Sequence, residues 1–232
     1  MSHRKFTFLF TIIALLQLSS NFLRDYFPWF HYLSKPAIMI SLGLFFYAHI
    51  SSKWNRFTAF MLIAIIASLF GDIFLMLAGD YFIWGLGSFL LAHIFYLLVF
   101  TAYGLSPISQ ESLLKRKPWL VLIFLVYAVL LIGILYPYLG KMLIAVCIYA
   151  LVIMSMSLAA LNRWKRVSQK SFAFVFMGAL LFMLSDSMIA INKFAFDIPL
   201  SHLWIMTTYI TAQYLIVMGI LRQMLSVKFS SL

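Results

Sequence analysis

Phe57-Thr-Ala-Phe-Met-Leu-Ile-Ala-Ile-Ile-Ala-Ser-Leu-Phe-Gly-Asp72-Ile-Phe-Leu-Met-Leu-Ala78 is a run of 22 residues with a single charge in it. A helix needs about 20 apolar residues to cross the hydrocarbon of a bilayer, and a core helix of a soluble domain rarely uses so many. The same reading repeats along the chain. Uncharged or nearly uncharged runs fall at Phe6–Leu23, Pro36–Ser52, Tyr81–Tyr103, Trp119–Leu135, Met142–Leu161, Phe172–Ile191 and Ile198–Leu221. Together they predict an all-α integral membrane protein: a bundle of eight transmembrane helices occupying residues 1–232 as one domain, with little chain left for a separate soluble domain.

Composition agrees. The 232 residues are 65% hydrophobic and 10% charged, where a soluble domain carries roughly 45–50% and about 25%. A soluble globule is excluded, and so is disorder, which needs low hydrophobicity. Pro36 predicts the start of the second helix, since proline suits a first turn. Tyr136-Pro-Tyr-Leu-Gly140 predicts the turn between the fifth and sixth, Gly104 and Pro107 the end of the fourth, and Pro199 the start of the eighth. Phe6–Leu23 follows His3-Arg4-Lys5 as a signal peptide would, but Ser19-Ser20-Asn21 is a poor cleavage site, so it reads as a retained helix.

The formal net charge is +11, which in a soluble protein would suggest nucleic acid as a partner. Here the charges sort by side instead. Alternating sides from the N-terminus, the first holds thirteen of the 17 Lys and Arg residues, and the second holds only Arg24, Lys35, Lys141 and Lys193. Basic residues collect in cytoplasmic loops. The bias therefore predicts an even number of spans, both termini cytoplasmic, membrane lipids as surroundings and no nucleic acid. Trp29, Trp54, Trp84, Trp119, Trp164 and Trp204 all fall near predicted helix ends, where interfacial tryptophans belong. The lone Cys147 cannot form an internal disulfide. Short loops and small size point to a bacterial inner (plasma) membrane, and the sequence leaves the oligomeric state open.

Of six acidic residues, Asp25, Asp80, Glu111 and Asp197 fall in loops, and Asp72 and Asp186 fall inside spans. An Asp at a helix centre costs about 2.5–3.5 kcal/mol on insertion scales, so such residues face the bundle interior and mark function. Asp72 lies six residues before Ala78 and Asp186 five before Ile191. At 1.5 Å per residue both are roughly 8–9 Å below the same boundary. Two helices thus place a carboxylate at one level, either as a facing pair in a polar cavity open toward the non-cytoplasmic side or as two separate buried acids capped by hydroxyls. His93 is near mid-membrane with Tyr96 one turn on. Tyr209 is level with the two Asp residues, and Gln213 follows on its face. Ser68 is one turn before Asp72, and Ser185 and Ser187 flank Asp186. Lys193 stands about two turns above Asp186, placed either to meet a phosphate or to snorkel to the interface. A catalytic zinc needs three protein ligands. Of the five histidines, His3 and His31 lie outside the spans and His49 and His202 at their ends, so no metal and no other cofactor is expected.

Ala67-Ser-Leu-Phe-Gly71-Asp72-Ile-Phe-Leu and Gly87-Ser-Phe-Leu-Leu-Ala-His93-Ile-Phe-Tyr96 resemble the first block of the YhhN-type membrane proteins, a family that includes the lysoplasmalogenases. Gly178-Ala-Leu-Leu-Phe-Met-Leu-Ser185-Asp186-Ser187-Met resembles the second block, and Tyr209-Ile-Thr-Ala-Gln213-Tyr-Leu-Ile the third, in the family's order. The resemblance covers helices three, four, seven and eight; the other four match in hydropathy alone. It implies an eight-helix hydrolase that cleaves the vinyl ether bond of a lysophospholipid, a lysoplasmenyl-ethanolamine or -choline, to a fatty aldehyde and a glycerophospho-headgroup. A vinyl ether resists base and yields to acid. Two carboxylates of separated acidity supply a proton donor and a group that orients water, as in glycoside hydrolysis. On this reading Asp72 and Asp186 are catalytic. His93, Tyr96, Ser185, Lys193, Tyr209 and Gln213 bind substrate. The rival readings are a small-cation or proton-coupled transporter, which also needs paired intramembrane acids but predicts polar lining on both sides of the midplane, and a zinc-dependent lipid hydrolase of the alkaline-ceramidase kind, which the histidine census disfavours.

Overall fold

The computed structural model describes residues 2–23, 26–50, 54–77, 79–102 and 112–229. Ala78, Arg24, Asp25, Lys53, Glu111 and the Gly104–Pro107 helix stop lie outside them. The described residues form helices and short connections, with no strand among them. In chain order the helices are α1 (His3–Phe22), α2 (Pro28–Ile50), α3 (Arg56–Met76), α4 (Phe82–Thr101), the short α5 (Leu113–Arg116), α6 (Leu120–Leu139), a 3₁₀ turn (Gly140–Met142), α7 (Leu143–Leu161), α8 (Gln169–Phe194) and α9 (Ser201–Phe229). Among the described residues, six stretches are long and apolar enough to cross a membrane: Trp29–Ile50, Arg56–Met76, Phe82–Thr101, Leu120–Leu161, Gln169–Phe194 and Ser201–Met224.

Three boundaries differ from the sequence reading. Helix α2 begins at Pro28, eight residues before Pro36, so Pro36 sits inside the helix. An internal proline removes one backbone hydrogen bond, to the carbonyl four residues back, and neighbouring helices make that tolerable within a membrane. His31 and Lys35 therefore belong to α2. Likewise α6 continues through Pro137 to Leu139. The reversal occurs at Gly140, whose φ of 48° lies in the region that favours glycine. The 42-residue stretch Leu120–Leu161 is thus a hairpin of two helices. Finally, α9 begins at Ser201, after Pro199. The helix starts that carry caps have ordinary chemistry. Asn55 and Thr58 form a reciprocal capping box at α3, and the Ser168 hydroxyl accepts from the Ser171 amide at α8.

The chain divides into two compact units, Met1–Phe95 and Tyr96–Leu232. In the first, α1 packs on α2 and α2 on α3. The Phe6 and Phe45 rings stack at 3.7 Å, and Ile38, Met39, Leu42, Met61 and Ala64 are fully buried. Helix α4 comes close to α3 where α3 has no side chain: a Cβ on Gly71 would lie 2.6 Å from the Phe89 ring. In the second unit α8 and α9 form the most extensive pair. Cβ atoms on Gly178 and Gly219 would meet backbone of the facing helix at 2.9 and 3.0 Å, the small-residue approach by which helices associate where lipid offers no hydrophobic drive. The α6–α7 hairpin packs its closed end, Leu135, Leu139 and Val146, against Ala190, Ile191 and Phe194 of α8. It leaves large apolar side chains such as Leu122, Ile123, Val126 and Val129 outward, as suits a surface facing lipid.

Candidate active site

In the first unit, the Gly-Asp block lies in the second half of α3. Gly71 admits α4, and Asp72 next to it is 2% exposed. Its carboxylate forms an ion pair with Lys35 of α2, Nζ to Oδ1 3.8 Å, both side chains largely buried. Ser68, one turn earlier, is fully buried, as is His93 on α4. One turn before Lys35, α2 contributes to a second polar group. Gln17 of α1 accepts hydrogen bonds from the hydroxyls of Ser34 and Ser20 through Oε1, and Ser20 also meets the His31 ring at 3.4 Å. All four residues are buried. Apolar α1 and α2 surfaces would pack without these groups, so their presence marks the C-terminal part of α1 and the N-terminal part of α2 as polar inside.

In the second unit, Asp186 of α8 is half-buried and accepts a hydrogen bond at Oδ2 from the Tyr149 hydroxyl of α7. Its neighbour Ser187 accepts from Tyr127 of α6 at 2.8 Å and donates to the Met183 carbonyl at 2.7 Å. These groups line a cavity of about 40 Å³, large enough for a few water molecules at roughly 10–15 Å³ each. Ser185 turns the other way and donates to the Ile205 carbonyl of α9 at 3.1 Å. Gln213 of α9 is fully buried and accepts from the Tyr96 hydroxyl at 2.6 Å. Tyr209, one turn before Gln213, is 4% exposed and packs edge-on against Phe182. Lys193 is exposed in the last turn of α8.

Of the residues singled out from sequence, the fold joins Tyr96 to Gln213, buries Asp72, His93, Tyr209 and Ser185, and leaves Lys193 at a helix end. Sequence reasoning missed Lys35, Tyr149 and Tyr127. A depth count would have found Tyr149: it lies six residues past the start of α7, and Asp186 lies eight before the end of the antiparallel α8, so the two fall near one level. Among the described residues no three His, Cys, Asp or Glu side chains converge as metal ligands.

Comparison with known proteins places the sequence among relatives. The chain is 32% identical over 202 residues to human lysoplasmalogenase TMEM86B, covering 85% of this chain and 78% of that protein. It is 33% identical over 168 residues to human lysoplasmalogenase TMEM86A, covering 68% and 63%, and 30% identical over 194 residues to rat lysoplasmalogenase TMEM86B, covering 84% and 74%. No solved structure matches it. The YhhN family model matches residues 30–220, a span that holds Asp72, His93, Asp186 and Gln213: the chain belongs to the YhhN family.

Proposed function

We propose that this protein is a multi-pass membrane hydrolase that cleaves the vinyl ether bond of lysoplasmalogens, releasing a fatty aldehyde and a glycerophospho-headgroup. The observation that carries the reading is the similarity to human lysoplasmalogenase TMEM86B across 85% of the chain, in a sequence whose intramembrane acids are Asp72 and Asp186. The transporter reading has no support from these relatives. Counting α1 and the two arms of the Leu120–Leu161 hairpin separately brings the spans to eight. With the basic residues sorted as above, both termini are cytoplasmic and the Asp level opens to the opposite side, in a bacterial plasma membrane.

The chemistry follows from the bond. A proton goes to the β-carbon of the alkenyl group, and the C=C electron pair forms that C–H bond. The resulting oxocarbenium ion takes up water at the α-carbon, which loses a proton. The hemiacetal then breaks its bond to the glycerol oxygen, which is reprotonated as the aldehyde leaves. Asp72 and Asp186 share the donor and acceptor roles. His93, Tyr209 and Gln213, the last held by Tyr96, orient water or the ether oxygen; Ser185 fixes α8 to α9 beside Asp186; and Lys193 meets the phosphate.

Two measurements bear on this. Purified protein supplied with a lysoplasmenyl-ethanolamine releases aldehyde, whereas the saturated-ether analogue gives none, because only the vinyl ether can accept a proton at carbon. Release from neither substrate overturns the activity. Tyr149→Phe removes only the hydroxyl that fixes Asp186. A hydrogen bond to a charged group contributes about 1.5–3 kcal/mol, so kcat falls roughly 10- to 100-fold with KM little changed. An unchanged kcat would mean that Tyr149 only fills space.

A further inference from the structure

The outward face of the α6–α7 hairpin carries an apolar groove of about 420 Å³, lined by Leu125, Val129, Ile132 and Gly133 on α6 and by Cys147 and Leu151 on α7. Helices with ordinary side chains along both arms would close such a groove. Here the arms present small groups: a Cβ on Gly133 would meet nothing within 4 Å, and Ala128 on α6 and Ala150 on α7 also line the groove. Those two alanines and Met154 also line the small cavity that holds Asp186, Tyr149 and Ser187. The groove and the polar cavity are thus two sides of one thin wall of small and flexible side chains. One side is apolar and open outward; the other carries the carboxylate. From Leu125 to Tyr136 the groove runs eleven residues along α6, roughly 16 Å at the helical rise.

We propose that this groove is the binding site for the alkenyl chain of the lysolipid substrate, which enters sideways from the bilayer and lays its vinyl ether against the Ala128–Ala150–Met154 wall beside Asp186. The assignment rests on the hydrolase reading above and adds where the chain lies. A single-chain lipid diffusing in the membrane needs an entrance open to hydrocarbon, and its reactive bond is the first unsaturation next to glycerol. The occupant must therefore be apolar along the groove and must bring the glycerol end of its chain to a proton donor. Tyr149 and Asp186 stand within the groove's length: Tyr149 lies nine residues past Gly140, while the groove spans four to fifteen residues before the turn on α6 and seven to fourteen past it on α7. Met154 can adapt to a chain because its side chain is unbranched.

The test uses the full-length enzyme and two readouts. Gly133→Trp and Val129→Trp place an indole in the groove without meeting the buried core. For a long-chain lysoplasmalogen KM rises about tenfold, while for a short-chain one kcat/KM changes less than twofold, so the chain-length preference shifts toward short substrates. Cys147, the single cysteine, reports occupancy in the unmodified protein. Its alkylation by N-ethylmaleimide slows several-fold with a long-chain saturated-ether lysophosphoethanolamine, which cannot be cleaved, and not with glycerophosphoethanolamine. An unchanged chain-length profile in folded, active variants, or alkylation equally fast with both compounds, would show a groove that holds only bulk lipid and overturn the proposal while leaving the activity intact. Absence of aldehyde release by the unmodified protein would instead remove the hydrolase reading itself.

Discussion

Asp186→Asn and Asp72→Asn each lower aldehyde release from lysoplasmenyl-ethanolamine by roughly 100- to 10,000-fold, the range for removing a positioned general acid or base. The two substitutions differ in what else they disturb. At position 186 an amide oxygen can still accept from the Tyr149 hydroxyl, so the packing of α7 on α8 persists and the loss falls on kcat. At position 72 the amide removes the negative partner of Lys35, so a loss of stability accompanies the loss of rate. Measuring thermal unfolding in detergent alongside turnover separates the two. Wild-type turnover by both variants would remove the carboxylates from the chemistry; wild-type turnover by one would assign both proton transfers to the other or to water. Binding of the saturated-ether analogue, read by Cys147 protection, should survive Asp186→Asn, since the chain does not depend on the acid.

Much of this architecture was legible before any coordinates, and the exceptions share a cause. The hydrophobic runs located every long helix among the described residues, because length and apolarity are what the bilayer demands of a span. The criterion also ended spans at charges, and that is where it failed. Lys35 closed the second run on the sequence, yet it lies well inside α2, facing Asp72. A charge whose partner sits on another helix looks like a boundary until the partner is placed. Pro36, one residue on, reinforced the error because proline is at home in a first turn as well as within a membrane helix. Pro137 misled in the same way at the end of α6, where the reversal needed the positive φ of Gly140 rather than the ring of a proline. Within the candidate site the carboxylates stood out against apolar neighbours, and Tyr96 with Gln213 was read as two separate positions on α4 and α9 that the fold joins by a hydrogen bond. Tyr127 and Tyr149 fall inside apolar runs where nothing in the sequence singles them out. Their hydroxyls matter because α6 and α7 turn them toward Ser187 and Asp186, and one chain's hydropathy carries no trace of which way a tyrosine faces.

Lys35→Met is the second substitution with a large expected effect, and it separates a stabilising charge from a working one. Methionine keeps most of the length and apolar stem of lysine and removes the ammonium, leaving the Asp72 carboxylate, 2% exposed, without this cation. Breaking a buried ion pair by deleting one member costs about 3–5 kcal/mol, largely because a charge remains in a low-dielectric site. The variant should therefore unfold at a clearly lower temperature and lose activity. Combining it with Asp72→Asn removes the stranded charge as well, and most of the stability should return, as when an ion pair is replaced whole by neutral groups. Activity should not return, because the carboxylate itself is gone. Lys35→Arg, which restores a cation with a different reach, should recover stability more fully than kcat if the lysine sets the position of the carboxylate. If the double variant is as unstable as Lys35→Met alone, the two side chains are not coupled and the ion pair contributes nothing to folding. If the double variant regains both stability and turnover, Asp72 is a structural counter-charge for Lys35, and the proton transfers belong to Asp186 and water.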